Sequence, residues 1–106
     1  MEDRLKSILH TLRQQLEALY ETRLVDLVLY GSQARGDMTP ESDVDVLVVL
    51  TGPVNPGEEI SRTIEIVTAL SLQYDVVISC LPVSAERFQN ERSPWLINVR
   101  REGITI

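Results

Sequence analysis

The stretch from Tyr30 to Val49, YGSQARGDMTPESDVDVLVV, constrains this chain more than any other part of it. Gly31-Ser32 closes one apolar run, and after ten intervening residues Asp43 and Asp45 stand at the head of another. Side chains two positions apart in a strand project from the same face, so both carboxylates point together. Held about 6–7 Å apart, two ionised carboxylates repel by about 2–3 kcal/mol at an effective dielectric near 20. Folding gains nothing from such a pair. Mg²⁺ reverses the sign, because it is typically held by a few carboxylates together with substrate phosphates. Gly31-Ser32 suits the other half of such a site: glycine lets the backbone come close to a ligand, and a turn into a helix offers N–H groups to phosphate. The Ser32 hydroxyl adds a further group for a phosphate oxygen or a metal.

Composition limits what surrounds this site. With 106 residues and 43% hydrophobic side chains, the chain is expected to form one domain, residues 1–106, around one small core. A net charge of −6 argues against a nucleic-acid or anionic-membrane partner. Cys80 is the single cysteine, which leaves no disulfide framework and no zinc-ligand cluster, and it reads as a small buried apolar residue. No apolar run approaches the ~18 residues of a membrane span, and the opening MEDRLKS is unlike a signal peptide. The expected location is the cytoplasm.

Taken in order, residues 2–20 carry Leu5, Ile8, Leu9, Leu12, Leu16 and Leu19 at helical spacing, one inward stripe with His10 off it. Leu24 to Tyr30 reads as a first strand, with Asp26 outward and solvated. Ser32 is expected to cap a short helix to Arg35, and Gly36 to Ser42, with Pro40, to form a loop. Asp43 to Leu50 is a nearly continuous apolar strand, a pattern that implies burial on both faces. After the turn-rich TGPVNPG comes a helix from Glu58 to Gln73, with Ile60, Ile64, Val67 and Leu70 inward. Tyr74 to Cys80 is expected as a third strand, ended by Pro82. Ser84 then caps a helix to about Asn90, PWLINVRRE forms a last helix stopped by Gly103, and ITI a short closing strand. Arg100 and Arg101 suit the negative end of that last helix, and Trp95 reads as core or interface filler before a base-stacking platform.

If Gly31-Ser32 and Asp43 share a site, strands one and two are antiparallel. The helix between strands two and three suits a crossover to a parallel neighbour. The expected class is therefore α/β (α+β), a small mixed sheet with flanking helices. Asp75, at the head of strand three, then lands at the same sheet edge as Asp43 and Asp45. Arg35 either holds phosphate or pairs with a surface acid such as Asp37.

Gly31-Ser32, ten residues, then Asp43-Val44-Asp45 resembles the signature of the DNA polymerase β-type nucleotidyltransferase superfamily. GSQARG and SDVDVLVV are most similar to its minimal nucleotidyltransferase (MNT) branch. The resemblance covers most of the chain and implies the polymerase β-like nucleotidyltransferase fold. It implies Asp43, Asp45 and Asp75 as a catalytic, metal-holding trio around two Mg²⁺ ions, with Gly31, Ser32 and Arg35 at the nucleotide. It further implies ATP as donor, adenylyl as the group transferred, and a hydroxyl, expected to be tyrosine, of a HEPN-domain toxin as acceptor. The chain would then be an MNT-type antitoxin that can form a hetero-oligomer with its toxin. Two other functions stay open: an antitoxin that neutralises by binding alone, and a small-molecule nucleotidyltransferase. The filler departs little from the family pattern, with Gln33 after Ser32 and valines around the aspartates.

Overall fold

The computed structural model describes residues 3–36 and 43–106. Helix α1 (Asp3–Tyr20) leads through a 3₁₀ turn (Glu21–Arg23) into strand β1 (Leu24–Tyr30) and the single-turn helix α2 (Ser32–Arg35). Strand β2 (Val44–Leu50), helix α3 (Pro56–Tyr74) and strand β3 (Ile78–Ser84) follow, then helices α4 (Ala85–Asn90) and α5 (Pro94–Glu102) and strand β4 (Ile104–Thr105). The strand order is β3-β2-β1-β4. β1 runs antiparallel to both β2 and β4, and β2 runs parallel to β3, the connection spanned by α3.

A central strand covered on both sides needs apolar residues at every position, and β2 is such a strand. Val44, Val46, Val48 and Leu50 pack with the stripe of α1 and with Leu70 of α3. Leu47 and Val49 face the other way, against Val28, Val83, and Leu96 and Val99 of α5. By the same alternation Asp45 belongs to the α5 side.

Several expectations shift. The α1 stripe ends on buried Tyr20 instead of Leu19, which is 38% exposed, because Tyr20 reaches α3. Glu59 and Thr63 are the buried residues of the first half of α3, while Ile60 and Ile64 are 41% and 50% exposed. That turn of the helix is set by a polar cluster. Glu59 accepts from Tyr20 Oη at 2.9 Å and from Arg23 at 2.8 Å, and Arg62 stands 3.2 Å from it.

The third strand starts at Ile78 rather than Tyr74. Helix α3 runs through Tyr74, and Asp75 ends it in the left-handed region at φ 50°, its N–H donating to Ser71 O. Pairing with β2 begins where Val44 N–H donates to Val77 O at 2.8 Å. Pro82 lies inside β3 and does not end it, since an edge strand can spare the N–H that proline lacks.

Two later caps are those expected: Ser84 accepts from Arg87 N–H, and Gly103 ends α5. Arg100 serves a neighbouring helix and not its own, donating to the carbonyls of Phe88 and Glu91 at the end of α4, both at 2.6 Å. Asp26, expected to be solvated, is half-buried, and His10 is exposed. The loop read at 37–42, with Asp37 and Pro40, lies outside the described residues. No helix among the described residues is long and apolar enough to cross a membrane.

Candidate active site

The antiparallel register sets Tyr30, the last residue of β1, directly across from Asp45, the second residue of β2. The chain then turns at Gly31, whose φ of 77° and ψ of −156° suit glycine alone. A Cβ there would stand 2.6 Å from Asp45 Oδ2. The backbone thus passes as close to the carboxylate as backbone can. Gly31, and not Ser32, is the N-cap of α2, so Ser32 is the first helical residue and half-buried. Asp43 is exposed just before β2 begins.

Burial raises the Asp45 pKa above its ordinary value, and the charge of Asp43 raises it further. The Tyr30 hydroxyl is pushed up to about 12, first by burial and then by the Asp45 charge. These shifts share one origin, negative charge gathered in a partly desolvated corner. A divalent cation is the group that relieves it. Two carboxylates, with phosphate oxygens to complete the shell, fit one Mg²⁺.

Asp75 does not join the pair. It is the exposed C-cap of α3, and among the described residues no three His, Cys, Asp or Glu side chains are grouped to hold a metal. The β3 residue in register with Asp45 is Ser79. Asp75 lies four residues before Ser79, at the same end of the sheet but beyond the paired strand. Arg35 sits on the rim, its Nη1 3.9 Å from Glu102 Oε2 of α5. Cys80 is held away from any such chemistry, for burial pushes its thiol up to about 12.

Beside Gly31 opens a cleft of about 280 Å³, with Tyr30, Gly31 and Arg35 on one side and Trp95, Asn98 and Glu102 of α5 on the other. Tyr30 and Trp95 meet edge to face, ring centroids 5.9 Å apart at 83°. Sequence reasoning missed this wall. Tyr30 could have been found from strand parity, since a residue ending one hairpin strand faces the start of the next. Asn98 and Glu102 carry no local signal, because the packing of α5 on the sheet alone brings them here.

The family model described as "Nucleotidyltransferase domain" matches residues 9–101, a span that contains Gly31, Ser32, Asp43, Asp45 and Asp75. The chain belongs to that nucleotidyltransferase family. Two proteins of Methanocaldococcus jannaschii agree with it. The first, named "Putative protein adenylyltransferase MJ0604", is 40% identical over 90 residues, 83% of this chain and 83% of its own length. The second, of the same name but MJ0141, is 36% identical over 72 residues, 68% of this chain and 72% of its own. The nucleotidyltransferase fold also matches a chain in a crystal structure of a toxin-antitoxin with AMP-PNP. There the TM-score is 0.60 at 18% identity, over 89% of this chain and 68% of that one. At that identity the match speaks for the fold, a mixed sheet with flanking helices. The enzyme class is accordingly nucleotidyltransferase.

Proposed function

We propose that this nucleotidyltransferase moves AMP from ATP to a hydroxyl of a partner protein, a HEPN-domain toxin, and so acts in the cytoplasm as its antitoxin. The observation that carries the reading is the contact between Gly31 and Asp45, with Asp43 beside it. The names of the M. jannaschii relatives support protein adenylylation, and the toxin-antitoxin neighbour with AMP-PNP supports ATP and a toxin partner.

Asp43 and Asp45 would hold Mg²⁺, which when bound neutralises triphosphate charge. Gly31 lets the main chain approach the phosphates, with the Ser32 hydroxyl and Arg35 beside them. The acceptor hydroxyl oxygen, expected to be that of a tyrosine, attacks the α-phosphorus, the bond to the bridging oxygen breaks, and pyrophosphate leaves with the electron pair. Asp75, exposed at the end of α3, takes the hydroxyl proton. The resemblance implies a second Mg²⁺, and that ion, like the proton role, would need Asp75 drawn towards the pair.

The test is incubation with ATP labelled at the α-phosphate, Mg²⁺ and a HEPN-domain protein from the same organism. Label and one or more adenylyl masses should appear on the partner and on nothing else. The Asp43→Ala, Asp45→Ala double variant should still bind the partner and leave its mass unchanged. If that variant neutralises the toxin as well as the wild type does, inhibition is by binding and the catalytic reading falls.

A further inference from the structure

Among the described residues, nothing in the carboxylate corner explains how one nucleotide would be chosen over another, whereas the cleft beside it carries groups able to choose. Its volume of about 280 Å³ is at the low end for ligand sites, room for a base and part of a sugar but not for a whole nucleotide. Whatever enters must therefore leave its remainder outside. Gly31 belongs both to the cleft wall and to the contact with Asp45, so the cleft adjoins the backbone that borders that carboxylate. A ligand with a flat apolar end and a polyanionic end fits that arrangement.

We infer that the cleft between Gly31 and α5 seats the base of the nucleotide, Trp95 stacking on its face and Asn98 reading its edge as adenine. This rests on the nucleotidyltransferase reading above and adds to it the residues that select the base. Trp95 is 40% exposed, and its edge-to-face contact with Tyr30 fixes the indole plane while leaving ring surface open. An aromatic held in this way is a ready stacking platform. Asn98 is exposed on the same helix, three residues on, and among the described residues its Oδ1 meets Arg101 at a long 3.5 Å. A carboxamide can accept from adenine N6–H and donate to N7 at once, a pairing that guanine, with acceptors at both places, refuses. Arg35, on the opposite wall, stands where the base gives way to sugar and phosphate.

Trp95 is the chain's single tryptophan, so its fluorescence reports on this cleft alone. Mg²⁺ with ATP should quench the emission, and Mg²⁺ with inorganic tripolyphosphate should bind by calorimetry without quenching. Trp95→Ala should weaken ATP roughly tenfold or more and leave tripolyphosphate unchanged. Asn98→Ala, an exposed position whose loss spares the fold, should narrow the preference for ATP over GTP by a similar factor. Should ATP bind with emission unchanged and with Asn98→Ala indifferent, the base lies elsewhere, and the inference falls while the nucleotidyltransferase reading stands. A Trp95→Ala variant that keeps ATP affinity but raises KM for the acceptor protein would make the cleft an acceptor site and overturn it too. Failure of both ATP and tripolyphosphate to bind would overturn both.

Discussion

Gly31 and Asp45 are so close that a single methyl group cannot be placed between them: a Cβ on Gly31 would lie 2.6 Å from Asp45 Oδ2. The two residues are fourteen positions apart and meet because β1 and β2 pair antiparallel with Tyr30 opposite Asp45. The contact couples a backbone requirement to a charge requirement. At φ 77° an L side chain is strained, and in this place it would also displace the carboxylate.

Gly31→Ala should therefore cost stability of about 1–3 kcal/mol. Transfer should fall by a larger factor, about a hundredfold, since small displacements of reacting groups carry that penalty. Urea unfolding and an adenylylation assay read the two effects separately. Transfer that falls no further than the lost folded fraction explains would show that the close approach is incidental.

Asp45 makes stability depend on pH in a fixed sense. Its folded pKa is raised above 3.8, so its contribution is present below that value and is lost as pH rises through the folded pKa. Asp45→Asn removes the ionisation. In EDTA the variant should match the wild type near pH 3 and become the more stable of the two as pH rises towards 7. Mg²⁺ with ATP should then raise the Tm of the wild type and leave that of the variant unmoved. A stability difference independent of pH would contradict the buried-charge account.

Asp75→Asn separates a cap from a base. Asparagine tolerates the left-handed region as well as aspartate does, so stability should change by less than about 0.5 kcal/mol. If Asp75 takes the acceptor proton, kcat should fall by about a hundredfold or more. Affinity for ATP should hold. Weakened ATP binding with kcat retained would instead make Asp75 a ligand-binding residue.

Glu59 tests the fold away from the site. Burial works against its charge, but hydrogen bonds from Arg23 and Tyr20 and the charges of Arg23 and Arg62 outweigh it and lower its pKa. Its stabilisation is thus present above 4.5 and lost as pH falls through the folded pKa. Glu59→Ala strands buried donors and should cost about 3 kcal/mol, and Tyr20→Phe about 1 kcal/mol. Neither should alter the kcat of the protein that remains folded. Loss of activity in step with fully retained folding would place the cluster in the site after all.

Local pattern was enough to read most elements. The α1 stripe, the β1 span Leu24–Tyr30, the doubly buried β2 and the stop at Gly103 follow from periodicity and caps, which act over a few residues. Gly31, Asp43 and Asp45 stand out in the sequence as candidates because glycine and like-charged neighbours are hard to explain by folding alone. Only the tertiary structure decided the rest. Whether α3 turned Ile60 or Glu59 inward depended on Tyr20 and Arg23, more than thirty residues away along the chain. Whether Asp75 headed a strand or ended a helix depended on where β3 found its partner, Ile78 opposite Val44. The wall of Trp95 and Asn98 exists because α5 folds back over the Asp45 face of the sheet. Side-chain periodicity reports which residues are buried, but the identity of the neighbour that buries them is a property of the packed chain.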